Sequence, residues 1–141
     1  MRGPYDYIPL SSYPHLSEAE SKIWTRFIVS HPDFFDKVWY DVNVGAFRGN
    51  EDNLKPEYQD NREYLGSYKI DVLGQRGDKM WILEIKKEAT SKAMGEVWLY
   101  EHCYLEDHEG LDGVQTAIVT DKEMPNIRKV CEKDNVFLFV V

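Results

Sequence analysis

Cysteine is scarce in this sequence: Cys103 and Cys131 are the only two among 141 residues, and they form no C-x-x-C pair. That excludes a disulfide framework and a compact zinc site, and predicts two reduced thiols. Long apolar runs are missing as well. No stretch approaches the roughly 18 apolar residues that a membrane-spanning helix needs. The opening, Met1-Arg2-Gly3-Pro4-Tyr5-Asp6, has no apolar signal core, so an intracellular protein is expected. Basic charge is also short. The formal net charge is −8, which argues against indiscriminate nucleic-acid binding. The shortage is uneven: from Arg48 to Lys92 nine basic residues balance nine acidic ones, and the whole excess of acid lies in the flanks. A metal bound in that central third would leave its surface locally basic.

What is present is enough apolar material for one domain with a core of its own. The chain is organised around Tyr68 to Tyr100. Tyr68-Lys69-Ile70-Asp71-Val72-Leu73-Gly74 and Trp81-Ile82-Leu83-Glu84-Ile85-Lys86 are strand-length apolar segments joined by a polar stretch containing Gly77, and they predict an antiparallel hairpin. In the second strand Ile82, Glu84 and Lys86 share one face, while Trp81, Leu83 and Ile85 share the other. Asp71, Glu84 and Lys86 therefore place charge inside apolar strands, at a cost of roughly several kcal/mol each if desolvated and unpaired. One reading is bland: Asp71 closes a turn, and Glu84 with Lys86 is an edge-strand ion pair. The other is a site. Two carboxylates and a neighbouring peptide carbonyl suit a hard divalent ion such as Mg²⁺, which keeps several of its waters. Lys86 would then point at a metal-bound water or a phosphate. The second reading explains all three charges together.

Residues 1–16, with Pro4, Pro9 and Pro14, predict an extended arm, and residues 17–141 a single domain. Ser17 with Glu20 forms a capping box for a helix carrying Ile23, Trp24, Phe27 and Ile28. Val38, Tyr40, Val42 and Val44 alternate as a strand with one apolar face. Residues 48–62 are a long polar loop. Its Arg48, Lys55 and Arg62 are candidate phosphate contacts, as is Lys69 on the first hairpin strand; a merely solvated loop is the alternative.

After the hairpin, Thr90 or Ser91 caps a helix with Ala93, Val97, Tyr100 and Tyr104 along one stripe. Glu96 and Tyr100 are neighbours on it and border the site if the hairpin's charged end faces this helix. His102, Cys103 and His108 have poor spacing for zinc. A strand within 113–121, a helix over 121–135 with Pro125 near its first turn, and the apolar run from Val136 to Val141 complete the chain. That last run predicts a strand buried within the sheet. The order predicts an α/β sandwich around a mixed sheet.

This order, together with Asp71…Glu84-Ile85-Lys86, resembles the PD-(D/E)XK nuclease superfamily, most closely the catalytic domain of NucS-type endonucleases. The resemblance spans roughly residues 16–141. It includes the helix ending at His31-Pro32, the Ile70-to-Gly74 strand, and Glu96-Val97-Trp98-Leu99-Tyr100 where RecB-type nucleases have Gln-x-x-x-Tyr. It implies a restriction-endonuclease-like three-layer sandwich and a deoxyribonuclease that uses Mg²⁺ or Mn²⁺. Asp71, Glu84 and the Ile85 carbonyl would bind the metal, and Glu20 would approach it through water. Lys86 would orient the attacking water, and Tyr100 would touch the scissile phosphate. DNA would be the partner, with a homodimer serving two strands. Two departures stand out. Ile70 replaces the eponymous Pro. Glu96 replaces the Gln, which weakens a phosphate contact there or suggests an extra metal ligand. The separate DNA-binding domain of NucS-type enzymes is not expected within these 141 residues, so mismatch specificity is not implied. The alternative is a catalytically inactive module of the same fold that mediates nucleic-acid or protein interaction.

Overall fold

A computed structural model describes residues 2–45 and 68–141; the candidate phosphate contacts Arg48, Lys55 and Arg62 lie outside the described residues. In chain order the elements are β1 (Arg2–Tyr5), α1 (Glu18–Ser30), β2 (Lys37–Val44), β3 (Tyr68–Arg76), β4 (Lys79–Lys86), α2 (Ser91–Asp107), β5 (Gln115–Thr120), α3 (Ile127–Lys133) and β6 (Val136–Val140). The strands form one mixed sheet in the order β1-β2-β3-β4-β5-β6. The β1–β4 pairs are antiparallel; β4–β5 and β5–β6 are parallel. Among the described residues no helix is long and apolar enough to cross a membrane.

The layers follow from strand alternation. Trp81, Leu83 and Ile85 of β4 face Ile23, Trp24, Phe27 and Ile28 of α1 in one cluster. On the opposite face the core is divided. Ile82 joins Ile70, Leu73 and Tyr104, whereas Ile118 joins Ala93, Met94, Val97, Ile127 and Cys131 under α2 and α3. Helices thus cover both faces, the three-layer arrangement expected. Both cysteines are free thiols. The N-terminal arm packs on the domain: β1 pairs with β2, and Tyr13 lies in the α1-side core.

Gly77 and Asp78 turn the hairpin, with Gly77 in the left-handed region at φ 61°. Gly74 is demanded by packing, because a Cβ there would lie 2.6 Å from the Phe35 ring. Helix α1 begins with the expected capping box. Ser17 Oγ accepts from the Glu20 N–H, and Glu20 Oε1 accepts from the Ser17 N–H.

Four local expectations are corrected. Strand β2 does not keep one apolar face: Val38 and Tyr40 point toward α1, while Val42 and Val44 point toward the α2 side. The switch falls at Asp41, whose backbone is left-handed at φ 54°. Among the described residues strand β6 is an edge strand, not an interior one, and Phe137 and Val140 are 45% and 44% exposed. Its apolar run is consumed on one edge against β5 and over α3. Helix α3 is only Ile127–Lys133, because Asn126 after Pro125 is left-handed and starts the helix late. Thr90 stands at the N-cap of α2 without a side-chain capping bond.

Candidate active site

The hairpin opens at the end away from its turn. Strands β3 and β4 pair from Arg76–Lys79 as far as Val72–Leu83, after which β3 continues alongside β2 alone. Asp71 is the first residue past that point. Its Oδ2 accepts the Ile85 N–H at 2.9 Å, occupying the place a strand carbonyl would have taken. The carboxylate is thereby lodged between the parting strands, next to Glu84.

Glu84 is 1% exposed. It stands in the divide between the two clusters on the α2 side, paired in register with Ile118 of β5. The Asp71 and Glu84 carboxyls act on each other directly, and such a pair is relieved by either a shared proton or a cation. Burial first, then the hydrogen bond to and charge of Asp71, hold the Glu84 carboxyl well above the usual carboxylate range. Burial also raises Asp71, and the charge of Glu20 adds to it; the bonds from Glu84 and the Ile85 N–H and the charge of Lys86 oppose this. Among the described residues no hydrogen-bond donor reaches Glu84 Oε1, although the atom is buried. A buried carboxylate oxygen without a donor is costly, and a divalent cation would satisfy it. The donor set, two carboxylates beside the Ile85 carbonyl, is hard and fits Mg²⁺ or Mn²⁺. Among the described residues no group of three or more carboxylate, imidazole or thiol side chains stands ready to hold a metal.

Lys86 follows Glu84 on the same strand face. Its ammonium meets Glu96 Oε2 of α2 at 2.7 Å, and the other Glu96 oxygen lies 4.0 Å from Lys92. Burial alone would lower the Lys86 pKa, but the hydrogen bond to Glu96 and the charges of Glu96, Glu84 and Asp71 outweigh it and raise it. These carboxylates favour the ammonium form of Lys86. Tyr100, one turn beyond Glu96, is pushed up by burial and then by the charges of Glu84, Glu96 and Asp71, so its hydroxyl keeps its proton beside the carboxylates. Its ring lies 5.9 Å from that of Tyr68.

The remaining expected residues are distributed around this centre. Glu20 serves the α1 cap and lines an open cleft of about 490 Å³ together with Ser17, Ile85, Lys86 and Lys92. Lys69 lies 3.5 Å from Asp41 Oδ1. A larger cavity of about 760 Å³ lies elsewhere, around Glu101, Arg128 and Asn135, and holds none of these residues. Asp41 is a buried carboxylate that sequence reasoning missed. It is 9% exposed, left-handed, flanked by Lys69 and His15, and its Oδ1 is buried without a hydrogen bond among the described residues. An Asp between two apolar strand residues was the available signal, the same one that identified Asp71.

No family model matches the chain, and no curated protein sequence does. Two solved structures do. One is a repair endonuclease from Pyrococcus abyssi, with a TM-score of 0.51 and 19% identity over 94% of this chain and 49% of that one. The other is an EndoMS–dsDNA complex, with a TM-score of 0.50 and 17% identity over 94% of this chain and 48% of that one. The chain thus spans about half the length of each, and at these identities the likeness is one of fold alone: the restriction-endonuclease-like α/β sandwich expected from the sequence.

Proposed function

We propose that this protein is a deoxyribonuclease that hydrolyses phosphodiester bonds with Mg²⁺ or Mn²⁺ held by Asp71, Glu84 and the Ile85 carbonyl. The observation that carries the reading is the lodging of Asp71 between the parting strands against Glu84, whose buried Oε1 has no donor among the described residues. A sheet does not keep such a pair for stability, because apolar residues of similar size would be cheaper there. The fold shared with a repair endonuclease and with a protein solved on double-stranded DNA supports the substrate class.

When bound, the cation would lower the pKa of a coordinated water and polarise a phosphoryl oxygen. The chain's own part is electrostatic. Asp71 is oriented by the Ile85 N–H. Lys86, held protonated, offers positive charge to the attacking hydroxide and to charge developing on the phosphorus oxygens. The protonated Tyr100 hydroxyl is a neutral donor that can reach a phosphate oxygen without adding to the site's negative charge. Glu20 lines the cleft through which solvent reaches this end of β4.

Cleavage of a supercoiled plasmid in Mg²⁺ or Mn²⁺ tests the reading. Wild type should nick or linearise it, and Asp71→Ala and Lys86→Ala should lose activity by about 100-fold or more. Equal cleavage by all three proteins, or cleavage unaffected by EDTA, would overturn it.

A further inference from the structure

We infer that Glu96 is a positioning residue that draws the Lys86 ammonium away from the Asp71–Glu84 pair and so keeps that pair open to a divalent cation. The inference rests on the metal reading above and assigns Glu96 neither to the metal nor to the phosphate.

Glu84 and Lys86 lie two residues apart on one face of β4, where their side chains stand side by side. An ammonium in that place has an obvious partner: the buried Glu84 Oε1, which has no donor among the described residues. The ammonium goes elsewhere. It lies 2.7 Å from Glu96 Oε2, on a helix packed over the strand, in a geometry close enough for a charge-assisted hydrogen bond. The Lys86 and Glu96 side chains are 26% and 19% exposed, so water screens the pair less than it would a surface pair. Lys92, 82% exposed and 4.0 Å from the other Glu96 oxygen, is a weak competitor.

Without Glu96, the charges left acting on Lys86 are those of Glu84 and Asp71. The ammonium would swing onto Glu84 and neutralise it from within. A divalent cation would then have to displace a tethered lysine. Glu96 thus does for Lys86 what a neutral side chain cannot do as well: it offers full negative charge from outside the metal pair.

Titration calorimetry with Mn²⁺ alone tests this on purified protein. The variants are Glu96→Gln, which keeps a neutral acceptor, and Glu96→Met, which removes it, each in the wild-type and in the Lys86→Met background. Mn²⁺ affinity should fall in the order Glu, Gln, Met, by about tenfold overall, within the coupling seen between members of one ion-pair network. In the Lys86→Met background all three should agree within about twofold. Three results overturn the inference. Equal losses in both backgrounds make Glu96 a direct ligand or field source. Equal Glu and Gln affinities, with Met alone weakened, make the size of the side chain and not its charge what counts. Unchanged affinity in every variant makes it structural. If the wild type takes up no Mn²⁺, the metal reading fails first and this inference with it, a result distinct from the other three.

Discussion

The two faces of the sheet differ in kind. Under α1 the packing is continuous and aromatic: Trp24 and Phe27 stack at 5.1 Å, Phe27 meets Phe139 at 5.1 Å, and Trp24 Nε1 donates to Tyr40 Oη at 3.0 Å. Under α2 and α3 the core is split into two smaller clusters, and Glu84 stands in the divide with Lys86 and Glu96 beyond it. The same strand, β4, supplies both faces. Trp81, Leu83 and Ile85 build the α1-side core, whereas on the other face Ile82 joins a smaller core and Glu84 and Lys86 form the candidate site. One face can therefore hold the fold while the other carries unmatched charge, and each can be disturbed separately.

The largest expected effect is on the α1 face. Phe27 is fully buried and touches Trp24, Phe34, Phe35 and Phe139. Phe27→Ala should cost about 3–5 kcal/mol of stability, as large-to-small changes in tight cores do. Urea unfolding measures this. Below the melting point of the variant, Mn²⁺ affinity should remain as in wild type. A loss under 1 kcal/mol, or a loss of metal binding from a protein still folded, would show that the two faces are not independent.

The opposite face should give the opposite sign. The Glu84 carboxyl has its pKa raised by burial and by Asp71, so the folded state holds this proton more tightly than the unfolded chain does. Its contribution to stability is complete below the ordinary carboxylate range and is lost as pH rises through the raised value. Metal-free wild type should therefore lose stability toward neutral pH through this group, and Glu84→Gln should not. At pH 7.5, in EDTA, the variant should be more stable by roughly 1–3 kcal/mol, the scale of an unmatched buried polar group. Saturating Mn²⁺ should reverse the order, because wild type gains binding energy that the variant lacks. Thermal melts at pH 5 and pH 7.5, with and without Mn²⁺, read both signs. A variant less stable than metal-free wild type at pH 7.5 would mean that the Glu84 charge is already compensated.

How far the sequence discloses this division depends on the range of the interaction. Alternation along β4 predicts which side chains share a face, and charge amid apolar residues singles out Asp71, Glu84 and Lys86; both are local signals. The capping box at Ser17 and Glu20 is equally local. The reversal of β2 at Asp41 is not. Val38, Tyr40, Val42 and Val44 alternate as though they shared one face, and the left-handed backbone at Asp41 that separates them leaves no mark on the apolar pattern. An apolar run in β6 reports what its side chains want, but not whether a strand lies on each edge. The partner of Glu96 was hidden for the same reason. The substitution was visible in the sequence, whereas the closeness of Lys86 depends on how α2 lies across β4.

The smallest expected effect falls where the two faces meet. Glu20 belongs to the α1 cap, yet it lines the cleft beside Lys86 and its charge raises the Asp71 pKa. Two replacements separate these roles. Ser17→Ala removes the side chain that accepts the Glu20 N–H and should cost about 1 kcal/mol of stability, with no change in Mn²⁺ affinity. Glu20→Gln keeps the reciprocal bond, since Gln serves in a capping box as Glu does, and should shift stability by only a few tenths of a kcal/mol. If Glu20 also approaches the cation through water, the lost charge should weaken Mn²⁺ binding about two- to fivefold, in keeping with a screened charge near a metal pair. Calorimetry and urea unfolding on the same samples give both numbers. A Glu20→Gln protein with native stability and native metal affinity would assign this carboxylate wholly to the helix, and would place the boundary of the site at Lys86.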